Sequence, residues 1–372
     1  DQGLLEGEVE GRVERRRKRT SLQKKTPQKN PQCHTSLESR GVKEMKSQEE
    51  QAQIVRDPLT GRTVLITGAG GSLAQEVIAR LKGTEKIVAV DFRRRVQTDK
   101  GTPSYRVNYN NRAFEDVFRA HKIDAVIHIG RMGLFESDHT HRYNTNVLGT
   151  QKLLDLCVTY RVGQVIVLST YFVYGASPFN PALITEDYPL KASELTMDLV
   201  DSVELENLAT IYLWKYPSLN ITILRPCNIA GPGVLNSMSL LLSRKIAPVL
   251  VGFSPMMQFI HLEDMALAID LAYRKNIPGI YNVTMHDWIA YQQAVHLCGC
   301  KKLYIPTVPK ALPQKVSRFL NWKAFPSYLV NYYKYPVVID GRSFSEKFGF
   351  EPLRTLDDIF SYYRDKKELE AL

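Results

Sequence analysis

Residues 62–91 read RTVLITGAGGSLAQEVIARLKGTEKIVAVD, and this stretch decides the fold. An apolar run opens onto a glycine-rich turn, helical spacing follows from Leu73 to Leu81, and a second apolar run ends at Asp91. Glycines let the backbone turn tightly and approach a ligand, and a helix N-terminus offers free N–H groups to an anion. An acid about 20 residues further on is placed to accept hydrogen bonds from ribose hydroxyls. The stretch therefore predicts a strand–turn–helix–strand unit that binds a dinucleotide.

Composition places the chain among ordinary globular proteins. Its 372 residues are 44% hydrophobic and 24% charged, with a net charge of +10. No apolar run of about 18 residues occurs, so no membrane-spanning helix is expected. The five cysteines show no disulfide framework, and Cys298-Gly-Cys300 has no second pair to complete a zinc site. We therefore expect reduced thiols, no metal and a cytoplasmic protein.

Residues 1–60 differ in kind from the rest of the chain. They are rich in Lys, Arg, Gln, Glu and Ser, and residues 15–19 read RRRKR. Such a run suits an acidic partner, either nucleic acid or a membrane face, but it equally suits a solvated disordered tail, which we favour. Met45 is the first methionine. We therefore hypothesise that residues 1–44 lie upstream of the native start.

After Asp91, predicted strands alternate with predicted helices. The strands are expected at 105–108, 124–129, 165–168 and 221–224, and the helices at 111–120, 143–159 and 203–212. This alternation predicts an α/β fold with a doubly wound parallel sheet and ligands at the carboxyl ends of its strands. We expect a nucleotide-binding domain over residues 61–233. A smaller substrate lobe is expected over 234–372, with some strands and helices exchanged between the two.

Several short motifs follow the glycine turn in a fixed order. They are TGAGGSLA (67–74), IHIG (127–130), NVLGT (146–150), STYFVYG (169–175), RPCNIAGPG (225–233), FIHLEDMA (259–266) and YNV (281–283). Together they resemble the extended short-chain dehydrogenase/reductases, the branch that includes the NAD-dependent epimerase/dehydratase family. The resemblance implies a Rossmann fold, a bound NAD and a hydroxyl-bearing small-molecule substrate, such as a nucleotide sugar or a sterol-like lipid.

The resemblance also implies which residues contact the cofactor. Asp91 favours NAD over NADP because its carboxylate would repel a 2′-phosphate, whereas the arginines at 93–95 leave NADP open. Arg131 stands where relatives carry a small residue. The implied set is Gly68, Gly70, Gly71, Ser72, Leu73, Asp91, Phe92, Asn108, Ile129, Gly130, Arg131, Pro226 and Asn228.

The chain departs from the family where the chemistry is expected. Relatives use a Tyr-x-x-x-Lys pair, and Glu206 sets the register that puts Asp198 and Ser202 at those two positions. Thr170 matches the residue that holds the reacting oxygen, and Asn146 joins the predicted catalytic set. An aspartate with an ordinary pKa near 3.9 is a poor partner for removing a hydroxyl proton. Two functions stay open: an oxidoreductase or epimerase with non-standard acid–base groups, and an inactive NAD-binding protein with a regulatory role.

The C-terminal region carries an unusual segment. Between Tyr304 and Tyr335 aromatic residues are interleaved with lysines and arginines. This composition suits a lid over a lipid-like ligand or a patch on a membrane surface, and it equally suits ordinary packing. A homodimer is possible, and no nucleic acid is expected on the folded core.

Overall fold

The computed structural model describes residues 61–94, 96, 101–133, 138–307, 315 and 327–370. The predicted tail over residues 1–60 and the proposed start at Met45 lie outside these ranges. So do most residues of the aromatic and basic segment between positions 308 and 326. The described residues belong to one structural unit. The predicted division at residue 233 therefore stays a prediction.

Thirteen strands run through the described residues. They are β1 (Thr63–Thr67), β2 (Lys86–Asp91), β3 (Ser104–Arg106), β4 (Ala125–His128), β5 (Gln164–Leu168), β6 (Asn220–Pro226), β7 (Asn228–Ala230), β8 (Ile246–Leu250), β9 (Met256–Met257), β10 (Phe259–His261), β11 (Gly279–Val283), β12 (Ile289–Ala290) and β13 (Lys301–Ile305). Seven of them form one parallel sheet in the order β3-β2-β1-β4-β5-β6-β11. The strand order reverses between β1 and β4, which is where such sheets bind ligands. The predicted α/β fold is confirmed.

Helices cover both faces of this sheet. They are α1 (Ser72–Leu81), α2 (Arg112–Ala120), α3 (His139–Tyr143), α4 (Gly149–Thr159), α5 (Ala192–Leu195), α6 (Val200–Lys215), α7 (Ser237–Leu242), α8 (Leu262–Lys275), α9 (Tyr291–Leu297), α10 (Arg342–Phe348) and α11 (Leu356–Leu369). Side chains of β1 alternate between the two faces: Val64 and Ile66 join the core under α1 and α8, whereas Leu65 joins the core under α2, α4 and α6.

Three elements differ from their sequence predictions. The helix expected over 143–159 is divided by a π-helical turn at Asn144–Leu148, and such turns often mark functional sites. Gly149 follows this turn because a Cβ there would lie 3.2 Å from the Cβ of Tyr109. Helix α6 begins at Val200, so Asp198 lies in the preceding 3₁₀ turn, Met197–Leu199. The third strand ends at Arg106 rather than at residue 108.

The chain after residue 233 builds on the sheet rather than standing apart from it. Strand β11 forms the edge of the main sheet beside β6. Three small sheets complete the region, pairing β7 with β10, β8 with β13 and β9 with β12. A 3₁₀ segment, Ser327–Tyr333, places Tyr332 and Tyr333 in the core. These two rings of the aromatic segment therefore serve ordinary packing.

Two further features of the described residues are their unpaired cysteines and the length and polarity of their helices. Cys157, Cys227, Cys298 and Cys300 are free and buried, and burial raises the pKa of each thiol. Within the same part of the chain, every helix is too short or too polar to cross a membrane.

Candidate functional site

Two glycines meet at the point where the strand order reverses. Gly68 follows β1 with a φ of +69°, and Gly130 follows β4. A Cβ on Gly68 would lie 2.5 Å from the Cα of Gly130, and a Cβ on Gly130 would lie 2.1 Å from the hydroxyl oxygen of Tyr109. Neither position tolerates a side chain, so the two backbones form a bare floor between the strands. The N–H of Gly71 closes the turn by donating to the carbonyl of Gly68 at 2.9 Å.

Asp91 ends β2 and holds this turn in place. Its Oδ2 accepts from the N–H of Gly70 at 3.0 Å, and its Oδ1 accepts from the N–H groups of Arg93 and Arg94 at 2.8 Å each. The Arg94 guanidinium donates to the carbonyl of Gly70 at 2.9 Å. These bonds fix the carboxylate at the mouth of the turn, where Asp91 as a whole is only 6% exposed.

Two neighbouring cavities lie above this floor. The first, of about 680 Å³, runs from Asp91 and Phe92 past the glycine turn to Gly233. The second, of about 320 Å³, is lined by Thr170, Tyr171 and residues that follow β6. The walls that both cavities share are Gly71, Ser72, Ile129, Arg131 and Leu235. The two cavities therefore form one elongated cleft along the carboxyl edge of the sheet.

Most of the predicted cofactor residues line this cleft. The first cavity is lined by Gly68, Gly71, Ser72, Asp91, Phe92, Ile129, Gly130 and Arg131. The second adds Leu73, Pro226 and Asn228. Gly70 contributes through its hydrogen bond to Asp91 instead. Asn108 lines neither cavity, since it follows the shortened β3 and its Oδ1 accepts from the N–H of Asn110 at 3.1 Å.

The second cavity offers two hydroxyl groups. Thr170 Oγ1 accepts from the N–H of Phe172 at 3.3 Å, which leaves its proton available to a ligand. The Tyr171 hydroxyl donates to Asn228 Oδ1 at 2.9 Å. Burial raises the pKa of Tyr171 well above its ordinary value. Tyr171 is therefore protonated at neutral pH and acts as a donor.

The other three predicted catalytic residues do not reach this cavity. Asp198 accepts from the hydroxyl of Thr196 at 3.2 Å and lies 3.5 Å from Nε2 of His139. Ser202 is buried on α6 and lines neither cavity. Asn146 Oδ1 accepts from the N–H of Met132 at 2.7 Å, and its amide donates to Met132's carbonyl at 3.1 Å. The structure thus brings only Thr170 of the predicted set to the open cleft.

Asp201 is a buried acid behind the cleft that no sequence motif indicated. It is 3% exposed, accepts from the amide of Asn146 at 2.6 Å and lies 3.3 Å from Nη2 of Arg142. These contacts join α6 to the π-helical turn and to α3 behind the cleft. The only signal of Asp201 in the sequence is its place beside Ser202, because its hydrogen-bond partner Asn146 lies 55 residues earlier.

Glu206 is the centre of a buried network. In the sequence it only indicated which residues stand at the two acid–base positions. Its Oε1 accepts from Nε of Arg225 at 2.6 Å, and its Oε2 accepts from the hydroxyl of Ser169. Nη1 of Arg225 donates to the hydroxyl of Tyr174 at 2.6 Å. Glu206 is fully buried, so α6 is tied to β5 and β6 by a charged pair that solvent does not reach.

Tyr363 and Lys367 in α11 also have the Tyr-x-x-x-Lys spacing, and they serve the fold. The Tyr363 hydroxyl accepts from the N–H of Gly231 at 3.0 Å and donates to Ser239 Oγ at 2.9 Å. Lys367 donates to the carbonyl of Cys298 and lies 3.3 Å from Sγ of Cys300. Both residues therefore pin the last helix to the core.

Known proteins share this architecture over most of the chain. An uncharacterized protein of Mycobacterium tuberculosis is 24% identical over 82% of this chain and 84% of its own length. The dTDP-glucose 4,6-dehydratase of Bacillus anthracis, solved with NAD, superposes with a TM-score of 0.65 at 18% identity, covering 83% of this chain and 98% of that one. The UDP-glucose 4-epimerase of Thermotoga maritima, solved with UDP-glucose, gives a TM-score of 0.66 at 17% identity, covering 83% and 100%.

The family assignment rests on a match that spans the cleft. The family described as NAD dependent epimerase/dehydratase matches residues 64–284, from β1 to the end of β11. That range includes the glycine turn, Asp91, Thr170 and Asn228, which contribute to the two cavities. This chain belongs to the NAD-dependent epimerase/dehydratase family.

Proposed function

We propose that this protein binds NAD along the cleft, with the adenosine end at Asp91 and the nicotinamide end at Thr170. The observation that carries the proposal is that the first cavity suits the adenosine and diphosphate end of a dinucleotide. The bare backbone at Gly68 and Gly130 leaves room for close approach, and the fixed carboxylate of Asp91 suits ribose hydroxyls. Helix α1 begins at Ser72 beside this floor and no side chain caps its N-terminus, so its first N–H groups are available to phosphate.

We further propose that the substrate is a hydroxyl-bearing small molecule of the nucleotide-sugar class. Bound NAD supplies a hydride acceptor or donor, and the chain must position the substrate and manage its proton. Thr170 would donate a hydrogen bond to the reacting oxygen, and Tyr171 would remain a protonated neighbour. The UDP-glucose in the Thermotoga maritima epimerase supports this substrate class. The protein would then be an oxidoreductase or epimerase with non-standard acid–base groups.

A second candidate function is binding of NAD without turnover. It is favoured by Asp198 and Ser202, which line neither cavity, so neither is placed to accept a proton from a substrate held at Thr170. Loss of positioned acid–base help costs roughly 10²- to 10⁴-fold in rate. In this case the bound dinucleotide would stabilise the fold or signal through a partner.

Calorimetry and absorbance at 340 nm distinguish the two candidates. NAD and NADP affinities are measured first, followed by single-turnover hydride transfer with nucleotide-sugar and sterol panels. The wild type is compared with an Asp198→Tyr/Ser202→Lys double variant. Glu204→Tyr/Asn207→Lys is the matched control, because it introduces the same residue types at exposed positions of α6.

Three outcomes decide the question. Turnover by the wild type supports the enzyme and contradicts the hypothesis of NAD binding without turnover. Tight NAD binding with turnover only in the Asp198→Tyr/Ser202→Lys variant supports that hypothesis. Failure of the wild type to bind either dinucleotide overturns both.

We infer, in addition, that the protein is cytoplasmic and pairs with a second copy. Support for a homodimer comes from apolar surface on α6, where Ile211 is 57% and Trp214 is 76% exposed. Light scattering of wild type and Trp214→Lys tests this, and a monomeric wild type would contradict it.

A membrane-surface role has less support, since Tyr332 and Tyr333 lie in the core. Flotation with anionic liposomes at low salt tests that role.

A further inference from the structure

Arg131 occupies the junction of the two cavities. It follows β4 directly after Gly130, is half-buried, and contributes to the walls of both cavities. It forms no hydrogen bond or ion pair with any other residue in the part of the chain that the structure describes. A guanidinium stays charged in proteins, so the cleft contains a positive charge that has no direct partner among the described residues.

The acids nearest to Arg131 are already engaged. Asp201 and Glu206 act on it electrostatically, and Arg142 repels it. Asp201 is bonded to Asn146 and paired with Arg142, while Glu206 is bonded to Arg225 and Ser169. Burial lowers the pKa of Arg131, because desolvation disfavours its charge. An anion that enters the cleft would relieve this cost.

The shared wall contains a second positive element. Gly71 and Ser72 also line both cavities, and they form the uncapped start of α1. A helix N-terminus carries a partial positive charge and unpaired N–H groups. A ligand that extends through both cavities therefore passes Arg131 and the start of a helix at the same junction.

We propose that Arg131 binds the diphosphate of a dinucleotide at this junction, together with the start of α1. The inference rests on the proposed NAD binding. It assigns Arg131, which stands where relatives carry a small residue, to the diphosphate in the middle of the ligand. Asp91 at the far end of the first cavity suits the ribose, which leaves the junction for the diphosphate. Arg131 then selects ligands with a central diphosphate over neutral nucleosides.

Calorimetry with NAD⁺, ADP-ribose and UDP, and an NMR titration with adenosine, test the proposal. The proteins are wild type, Arg131→Ala, Arg131→Lys and the exposed control Arg112→Ala. Charged hydrogen bonds are worth enough to weaken NAD⁺ and ADP-ribose by roughly 10- to 100-fold in Arg131→Ala. Adenosine affinity is expected to stay within about twofold, and Arg131→Lys should recover part of the loss because it keeps the charge.

Each other result overturns the proposal in a recognisable way. An equal loss for adenosine means that Arg131 shapes the fold of the cleft, and thermal unfolding of the variants would report the same change. A loss for UDP alone assigns the diphosphate to a nucleotide-sugar substrate instead. Unchanged affinities in Arg131→Ala reject the role of Arg131 while leaving NAD binding intact. If the wild type binds neither ADP-ribose nor NAD⁺, the proposed function itself fails.

Discussion

The glycine turn and the start of α6 lie in the same sheet architecture but are built for different purposes. At the turn, the side chain of Asp91 and the backbones of Gly68 and Gly130 leave a cleft open to a ligand. Just before the start of α6, Asp198 contacts Thr196 and His139 instead of the cleft. Relatives are expected to place their acid–base pair at this second region.

The difference teaches which constraints the fold itself imposes. Glycine is required at residues 68 and 130 because the two backbones approach each other too closely for a side chain. Asp198 carries no comparable packing requirement, since it lies outside α6 and its side chain is 30% exposed, whereas Ser202 is buried on that helix. The helix is kept by other residues, above all Glu206. Substitutions at the two regions should therefore have very different consequences.

The largest expected effect comes from removing the buried charge that anchors α6. Glu206→Ala leaves Arg225, 3% exposed, without its carboxylate partner. Breaking a buried pair on one side costs about 3–5 kcal/mol. Urea unfolding measures this loss, and Glu204→Ala, exposed on the same helix, should stay within about 0.5 kcal/mol of wild type. A loss as small as that of the control would show that α6 does not depend on this pair.

Acidification should produce the next largest effect, through His128 beneath the cleft. Its ring nitrogens pair with Thr67 Oγ1 at 2.8 Å and Thr150 Oγ1 at 2.9 Å, and burial lowers its pKa from 6.5 to about 4. The unfolded chain thus takes up a proton below pH 6.5 that the folded chain refuses until about pH 4. Stability is therefore lost as the pH falls through this window, by about 3 kcal/mol.

Unfolding free energies at pH 7 and pH 4.5 test the contribution of His128. His128→Gln keeps polar contacts to both threonines but cannot take up a proton, so its stability should fall less between the two pH values. Parallel curves for wild type and variant would show that other groups cause the acid sensitivity.

Gly130→Ala should have a smaller effect on stability but a strong effect on binding. The new methyl group would meet the hydroxyl of Tyr109 and the backbone of Gly68, and such overpacking costs about 1–3 kcal/mol. The floor of the cleft would shift at the same time, so NAD affinity should fall. Gly163→Ala is the control, because its Cβ would meet only the carbonyl of Asp124 at 3.7 Å. Unchanged NAD affinity in Gly130→Ala would show that this floor does not contribute to NAD binding.

Local patterns predicted one of the two regions well. Alternating apolar runs locate β1 and β2, and the residue that ends β2 must lie at the carboxyl edge of the sheet. Asp91 could therefore be placed beside the glycine turn from sequence alone. The general fold followed from the same alternation, because strands and helices that alternate have few ways to pack.

Contacts between distant segments could not be predicted in this way. The π-helical turn at Asn144–Leu148 has an ordinary helical pattern, and Gly149 after it packs against Tyr109 of a distant segment. Asp201 finds Asn146 only once α6 lies beside that turn. Asn108 belongs to the cofactor set that the resemblance implies, but β3 ends at Arg106 and Asn108 lines neither cavity. Each of these outcomes is set by tertiary packing rather than by local spacing.

The smallest effect is expected at Asp198, and it bears most directly on the comparison. Its pairing with His139 is largely exposed, and such pairs contribute about 0–1 kcal/mol. Asp198→Ala should therefore change stability by less than about 1 kcal/mol and NAD affinity by less than about twofold, as thermal unfolding and calorimetry would show. If the wild type turns over a substrate, Asp198→Ala should do so at a similar rate, because the carboxylate lines neither cavity. A fall of roughly 10²-fold or more would instead be the effect of a lost acid–base group. It would mean that the start of α6 moves towards Thr170 when substrate binds, so that the second region is also built for chemistry.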